Sequence, residues 1–302
     1  MLFGVLVVAL LFAMRAGCSQ NPWPNRTIAG QVVDETGQPV PGAEVKLSWS
    51  TGSGFNFHRA SPQESDFLTT DAEGRFRGRG GSNYCSLEVT KEGSYGTRLG
   101  VTREMAADAL RIPLNRVRNP QPMIGKKVHL QLPVGHSRLQ YDLVMGDCLP
   151  PLGRGMVADL EITWTRPEVG HGEAERAAFQ SRILGASNGL IPPEPKPTPE
   201  GPTSSLRSLH EAPSEGYQPS ADFGNHFTGG NLVAYVKIRT GQPGRPLYGK
   251  LLDPLAYTRY DDTDRFRFQY VINPSGDRGL EIDKNQITVP GKRKLEYAPE
   301  EF

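Results

Sequence analysis

Closely spaced acidic residues near the carboxyl end of the chain are the residues best suited to chemistry. Asp261 and Asp262 are followed by Asp264, and Asp253 lies a few positions before them. Carboxylates of this kind bind calcium, and a pair of them can act as general acid and general base. The alternative is a solvated acidic turn flanked by arginines. Asp261 and Asp262 are therefore weak ligand-binding candidates. In an alternative function, in which the protein is a carbohydrate-active hydrolase, they would be the catalytic acids. That alternative requires a second carboxylate roughly 5 to 10 Å away across an open groove.

Aromatic side chains beside this acidic turn supply a second candidate for binding. Tyr257 and Tyr260 precede Asp261, and aromatic faces with a polar rim can stack on sugars. Loops held by a rigid sheet commonly carry such groups. The other aromatic residues occupy mostly alternating strand positions, where core packing is their ordinary role: Trp49, Trp164, Tyr217, Phe223 and Phe227.

Other polar combinations in the sequence are better explained without chemistry. His171 and Glu173 have an HxE spacing, but a zinc site needs at least three ligands and no second histidine is near. Asp71 and Glu73 are too few for an EF-hand loop and are interpreted as turn acids, and His58 as a solvated side chain. The sequence has no GxSxG nucleophile elbow. We therefore predict no catalytic, cofactor or metal residues, and expect a protein that is not an enzyme.

The three cysteines, Cys18, Cys85 and Cys148, have no CxxC spacing that would hold zinc. In an oxidising compartment Cys85 and Cys148 form an even pair that could bridge the two halves of the protein. Two separately buried thiols are the alternative, since each cysteine lies beside apolar neighbours.

The amino terminus predicts export. Residues 2–14 are almost entirely apolar, too few to span a bilayer but of the right length for a signal-peptide core. The residues MRAGCSQ that follow resemble a bacterial lipoprotein processing site, which implies that residues 1–18 are a leader and that Cys18 is lipidated. An ordinary cut near Ala16 or Gly17 is the alternative. We expect a protein in the periplasm or at the outer membrane, attached to the membrane by a lipid anchor.

Composition limits the partners. The 34 basic and 33 acidic residues give a net charge of +1 without a basic cluster, which argues against nucleic acid. The 34 glycines and 26 prolines favour many turns and few helices. The length of 302 residues suggests roughly two domains.

Alternating strands and turns fill the first part of the chain. Ala43, Val45, Leu47 and Trp49 alternate with polar residues, which is typical of a half-buried strand. The strand before it ends at DETG, where glycine can adopt the positive φ of a hairpin. A loop is predicted over residues 51–65, followed by a turn at DAEG and further strands within residues 86–91, 98–102 and 109–114. Short strands joined in this way favour a sandwich.

The segments VVDETGQPVPGAEVKL and TTDAEGRF resemble the carboxypeptidase regulatory-like domain, which has a transthyretin-like (prealbumin-like) fold. The resemblance covers residues 27–114. It implies a seven-stranded-type antiparallel β-sandwich, used as an accessory or surface module, sometimes beside carbohydrate-active enzymes. It brings no catalytic residues with it.

A second β-rich domain is predicted over residues 124–290, after a linker at residues 115–123. Alternation recurs in residues 127–132, 139–143, 158–164 and 232–239. The last strand, residues 265–272, has Phe266, Phe268, Tyr270 and Ile272 on one face.

Two irregular elements interrupt these strands. One short helix is predicted over residues 172–184, where alanines and Leu184 could bury one side. Six prolines between Pro192 and Pro202 predict a long Pro-rich loop at residues 187–219, extended and mobile. Residues 291–302 form a carboxyl-terminal tail.

The second part of the chain also resembles a known architecture. The segments YDLVMGDCLPPLGRGMVADLEI, HEAPSEGYQP, LYGKLLDPLAY and FQYVINPSGDRGLEID are similar to an uncharacterised β-rich module of exported proteins from Verrucomicrobia and Planctomycetes. This resemblance implies a compartment and an architecture, and no activity or site residues.

Taken together, these features predict an all-β, two-domain protein of the cell envelope. We expect a binding or structural module without covalent chemistry, with polysaccharide or an envelope protein as partner, no nucleic acid and no cofactor. An envelope scaffold is a third function, and it predicts a sizeable exposed apolar patch.

Overall fold

The computed structural model describes residues 26–50, 63–80, 84–102, 105, 110–133, 135–165, 178–192, 203–204, 206, 208–221, 233–241, 244–260 and 263–291. The predicted leader, Cys18, His58, His171, Glu173, Asp261, Asp262 and the tail beyond Gly291 lie outside these residues. Within the described residues every regular element is a β-strand, so the predicted all-β class is confirmed. No helix in these ranges has the length and apolarity needed to cross a membrane.

The described residues divide into two compact units, with the boundary between Arg116 and Val117. Unit 1 contains the first seven strands: β1 (Arg26–Val33), β2 (Glu44–Ser50), β3 (Gln63–Thr69), β4 (Arg75–Gly80), β5 (Tyr84–Thr90), β6 (Thr97–Thr102) and β7 (Leu110–Pro113).

The remaining strands are β8 (Gln121–Pro133), β9 (Arg138–Asp142), β10 (Asp147–Cys148), β11 (Leu160–Thr165), β12 (Ala178–Ile183), β13 (Gly189–Ile191), β14 (Thr203–Ser204), β15 (Ser220–Ala221), β16 (Val233–Ile238), β17 (Leu247–Tyr260), β18 (Thr263–Asn273) and β19 (Ile282–Thr288). All of them belong to unit 2 except β14, which pairs with β6 in unit 1.

Unit 1 is a sandwich of two sheets around one hydrophobic core. The sheet β4-β1-β7 faces the sheet β14-β6-β5-β2-β3. The alternation in β2 has the predicted result, because Val45, Leu47 and Trp49 are buried in this core while Glu44 and Lys46 are exposed. The prediction of a purely antiparallel sandwich is wrong in one place, because β7 pairs in parallel with β1.

The first turn of unit 1 shows how local sequence determines this fold. Gly37 has a φ of 83°, which a residue with a Cβ adopts at a cost. Asp34 Oδ1 accepts the backbone N–H groups of Thr36 and Gln38, so its carboxylate holds the turn closed. Asp71 does the same in the DAEG turn by accepting the N–H groups of Glu73 and Arg75.

Strand β3 was not predicted in full. Residues 63–65 were assigned to a loop, but in the structure they pair with the end of β2, from Ser50 opposite Gln63 to Ser48 opposite Ser65. The sequence QESDFLT has polar residues at both alternating positions at its start, so it lacks the apolar period that would have identified a strand.

Unit 2 contains a five-stranded sheet, β10-β9-β11-β12-β15, and a six-stranded sheet, β13-β16-β17-β18-β8-β19. Their facing side chains form one hydrophobic core. Phe266, Phe268, Tyr270 and Ile272 all lie in it, as the alternation of β18 predicted. Tyr141 from β9 packs edge-on against Phe268, with 5.2 Å between ring centroids.

The predicted helix at residues 172–184 is wrong where the structure describes it. Ala178–Ile183 is the strand β12, paired with β11 on one side and with β15 on the other. The alanines and spaced apolar residues of this segment satisfy a helical period, but pairing with two neighbouring strands gives its backbone groups partners within a sheet.

The Pro-rich loop and the linker also contain more regular structure than expected. In the predicted loop, Gly189–Ile191 pairs with β16, and Leu206 and Ala212 are buried. Residues 193–202, which carry most of the prolines, lie outside the described ranges. In the predicted linker, β8 already begins at Gln121 and buries Met123.

Candidate functional site

Of the predicted acidic site, Asp261 and Asp262 lie outside the described residues, and the structure places the residues that flank them. Tyr257 and Tyr260 lie on β17, opposite Phe266 and Thr263 of β18, so they belong to a hairpin rather than to a separate loop. Asp264, the third acid of the predicted turn, is buried, and one of its carboxylate oxygens accepts the Trp164 Nε1–H at 3.2 Å. Asp264 therefore faces the core instead of solvent, and Trp164 is a core residue.

The two cysteines that were considered for a bridge lie in different cores. Cys85 is buried in the core of unit 1 and Cys148 in the core of unit 2, each as a thiol. Of the two alternatives for these cysteines, this is the arrangement of two separately buried thiols, and Cys85 and Cys148 form no disulfide. The apolar neighbours of each cysteine explain it, because each thiol is an ordinary small core residue.

A polar groove at one edge of unit 1 is the most site-like feature of the described residues. Its walls are the edge strands β3 and β4, which belong to the two different sheets of the sandwich. Its volume is about 610 Å³, within the range of small-molecule sites. We call it the β3–β4 groove, and its lining residues are Thr27, Trp49, Glu64, Ser65, Asp66, Arg77, Gly78 and Arg79.

Trp49 forms the inner part of the β3–β4 groove. Its side chain is only 7% exposed and packs in the core of unit 1. Its buried Nε1–H has no hydrogen-bond partner in the structure. A buried donor without a partner costs free energy. Trp49 thus brings an unpartnered donor to the lining of a polar groove, and an acceptor bound there would satisfy it.

The carboxylates of the groove occupy core-facing positions of an edge strand. Glu64 lies opposite Trp49 and Asp66 opposite the buried Leu47, so both carboxylates share the side of the sheet that faces the other layer. Inward-pointing charges on an edge strand also discourage pairing with another chain. Within the described part of the chain, the Glu64 side chain makes no hydrogen bond or ion pair, so its carboxylate can accept hydrogen bonds from a ligand.

Strand β4 supplies the other wall. Asp66 Oδ2 accepts the backbone N–H of Arg79 at 3.0 Å and so fastens the two walls together. Gly78 allows this approach, because a Cβ there would lie 2.4 Å from Leu68 Cδ1 and 2.9 Å from Asp66 Oδ2. Arg77 and Arg79 are exposed at the rim and, like Glu64, their side chains have no partner among the residues that the structure describes.

A different kind of charge cluster lies in unit 2. Arg239 Nη2 is 2.6 Å from Asp142 Oδ1 and 2.9 Å from Asp159 Oδ2, and both carboxylates are 1% exposed. Burial raises the pKa of Asp159, against the opposing effect of Arg239. Asp142 also accepts the backbone N–H groups of Met145 and Val157. The three charged side chains of this cluster therefore bond to one another, and Asp142 also holds the backbone of two loops.

Buried lysines in unit 2 are used in the same way. Lys126 Nζ donates to the carbonyl oxygens of Gly146 and Gly291, and Lys250 Nζ donates to Ser208 Oγ and the carbonyl of Leu280. They tie connecting segments to the six-stranded sheet. Across the ranges described, no group of three or more His, Cys, Asp or Glu side chains is placed to hold a metal ion.

The β3–β4 groove was missed at the sequence level, although Trp49 was among the aromatic candidates. The residues that form it are separated along the chain into Trp49, the QESD segment of β3 and the RFRGR segment of β4. The sequence did contain one indication of the groove, the alternating acids at positions 64 and 66. These acids can be placed on one face of a strand only when the register with β2 is known.

Comparison with known proteins gives no family. No protein-family model and no curated protein matches the sequence. Two solved structures match part of the chain. The 3-chlorocatechol 1,2-dioxygenase of Rhodococcus opacus 1CP is 14% identical with a TM-score of 0.24, over 32% of this chain and 62% of that one. The chlorocatechol 1,2-dioxygenase of Pseudomonas putida is 16% identical with a TM-score of 0.25, over 33% and 63%. The chain thus spans less than two thirds of either.

These matches overturn one prediction. The expectation that the chain is not an enzyme is contradicted, because both solved structures are enzymes, and it is withdrawn. TM-scores of 0.24 and 0.25 carry no argument for a dioxygenase activity in this chain.

Proposed function

We propose that this chain is an exported, lipid-anchored protein of the bacterial cell envelope that binds carbohydrate in the β3–β4 groove. In this proposal unit 1 is a carboxypeptidase regulatory-like domain with a transthyretin-like fold, used to present the groove. In the same proposal, unit 2 is a β-rich module of the type that exported bacterial proteins carry. Membrane attachment is through Cys18, and the partner is a polysaccharide of the envelope.

One observation carries the carbohydrate part. Hydrogen-bonding groups with unused capacity, two acidic and two basic, line a single groove beside Trp49. Sugar hydroxyls both donate and accept hydrogen bonds, so carboxylates and guanidinium groups can bind them together, and charged partners strengthen each bond. Trp49 is too deeply buried to offer a ring face for stacking, so recognition in this groove would depend on hydrogen bonds.

Binding of the full chain to an array of bacterial polysaccharides tests this proposal. A double variant, Glu64→Ala with Arg77→Ala, removes one acid and one base from the groove. We expect it to lose affinity for the bound polysaccharide by about ten- to a hundredfold.

The matched control removes one acid and one base from the outer face of the same sheet. Glu44→Ala with Lys46→Ala leaves the groove intact, and both residues are exposed. We expect unchanged affinity. If the control loses binding and the groove variant keeps it, the binding site is not the β3–β4 groove. If no polysaccharide binds the unmodified chain, the carbohydrate proposal fails.

Membrane attachment is tested independently by the intact mass of the mature protein extracted from bacterial membranes. We expect a lipid-sized increase in mass that a Cys18→Ala variant lacks. A soluble, unlipidated product cut near Ala16 would refute the anchor and leave the binding proposal to stand on its own.

A further inference from the structure

We infer that the β3–β4 groove selects glycans that carry unsubstituted primary amines, that is, polymers of free amino sugars. This inference rests on the proposed carbohydrate function and specifies its ligand. It follows from the distribution of charge between the interior and the rim of the groove.

The inner face of β3 supplies the negative charge of the groove. Glu64 and Asp66 lie on the same side of β3 as Leu68, directly opposite the buried Trp49 and Leu47 of β2. Their side chains therefore lie on the face of β3 that is turned toward the other sheet, where Asp66 is half-buried and Glu64 is exposed, in the groove that Trp49 also lines. No basic side chain occupies the corresponding interior position of β4, because Gly78 stands there, opposite the buried Ile28.

The rim of the groove is positive. Arg77 and Arg79 alternate with Gly78 on β4 and are exposed, as is Thr27 opposite Arg79 on β1. Their guanidinium groups make no ion pair with Glu64 or Asp66 in the structure. The two signs of charge are therefore held on separate parts of the groove and do not neutralise each other through direct contact.

A free amino sugar is complementary to this arrangement. Its ammonium group offers three donors and one positive charge to the interior carboxylates, where a neutral hydroxyl offers a single donor. Its ring oxygens and hydroxyls can accept hydrogen bonds from Trp49 and from the arginines at the rim. Acetylation of the amine removes the charge while keeping the sugar backbone, so an acetylated glycan should bind less tightly.

The test compares two pentasaccharides that differ only at this group, a chitosan pentamer and its fully N-acetylated form. Titration calorimetry is performed with the full chain at a pH where the amines are protonated and the carboxylates are ionised. We expect the chitosan pentamer to bind about tenfold more tightly, since a hydrogen bond to a charged group contributes that much. Glu64→Gln should abolish the preference, and Glu44→Gln, on the outer face of the same sheet, should retain it.

Each other outcome has a distinct meaning. If both pentamers bind equally and the groove double variant weakens both, the carbohydrate proposal stands and the preference for amines is refuted. If neither pentamer nor any polysaccharide binds, the proposed function itself fails. If a tetralysine peptide binds as tightly as the chitosan pentamer and depends equally on Glu64, the groove selects amines on peptides, and the assignment to glycans is overturned.

Discussion

The two units of this protein place charged side chains in opposite ways. In unit 1, the Glu64 carboxylate and the Arg77 and Arg79 guanidinium groups line an open groove and make no bonds within the structure. In unit 2, Arg239, Asp142 and Asp159 are packed together out of water and bond to one another and to backbone N–H groups. The described residues thus contain one charge cluster whose donors and acceptors are available to a ligand, and one whose charged groups are already paired within the protein.

Whether the charged side chains already have partners distinguishes a binding site from a structural ion cluster more reliably than their residue types do. Buried ions are tolerated when each is paired and hydrogen-bonded, and then they fix a conformation. Exposed ions without partners contribute little to stability, so removing them should affect ligands more than folding. The cluster of unit 2 is the more deeply buried group of charges, yet the groove of unit 1 is the better candidate for binding.

The strongest test of this comparison removes one arginine from each cluster. Arg239→Met leaves two buried carboxylates without their cation and should destabilise unit 2 by about 3 to 5 kcal/mol. Arg77→Met changes an exposed side chain without partners and should alter the stability of unit 1 by less than about 0.5 kcal/mol.

Urea unfolding followed by tryptophan fluorescence separates the two units. The chain has three tryptophans, so replacing Trp23 and Trp49 by Phe leaves Trp164, in the core of unit 2, as the reporter. Replacing Trp23 and Trp164 instead leaves Trp49 in unit 1. Equal losses of stability in the two units would break the comparison, because they would mean that the groove arginines are also structural.

The regular strands could be predicted wherever alternation was strong. The buried residues of β2 follow a period of two, and the alternating residues Phe266, Phe268, Tyr270 and Ile272 of β18 share one core, as predicted. Ala178–Ile183 was predicted as helix because its apolar spacing suits either structure, and only its pairing with β11 decides between them. A local pattern cannot reveal a long-range partner, which is why this segment was misassigned.

The candidate site was less predictable than the fold. The groove joins Trp49, the acids of β3 and Gly78 of β4 through sheet register and through the approach of two edge strands. None of these relations has a sequence motif. Asp264 illustrates the converse error, because its spacing relative to Asp262 suggested a ligand site while its burial beside Trp164 gives it a structural role.

A smaller effect is expected from a substitution that prevents the two groove walls from approaching each other closely. Gly78→Ala places a methyl group 2.4 Å from Leu68 Cδ1 and 2.9 Å from Leu47 Cδ1, so these side chains or the strands must shift. Overpacking of this kind should cost unit 1 about 1 to 3 kcal/mol and weaken ligand binding, since Asp66 would lose its hold on Arg79. The reporter is Trp49 fluorescence in the Trp23→Phe, Trp164→Phe background. Unchanged stability would show that β3 and β4 do not need this close approach.

The smallest effect is a difference in the pH dependence of the two units. The hydrogen bond from Thr36 holds the pKa of Asp34 below its ordinary value, so Asp34 stabilises unit 1 above about pH 4 and loses this contribution as the pH falls. Burial raises the pKa of Asp159 above its ordinary value. The folded form of unit 2 therefore holds that proton more tightly than the unfolded form, and the contribution of Asp159 to stability improves as the pH falls through its raised pKa.

Unfolding free energies measured at several pH values, with Asp34→Asn and Asp159→Asn as single variants, isolate these two contributions from those of the other carboxylates. We expect Asp34→Asn to reduce the acid-induced loss of stability in unit 1, and Asp159→Asn to remove an opposing gain in unit 2. The two variants should therefore shift their slopes in opposite directions. Shifts of the same sign would mean that Arg239 outweighs burial at Asp159, in which case its carboxylate stabilises unit 2 in the ionised form, as Asp34 does in unit 1.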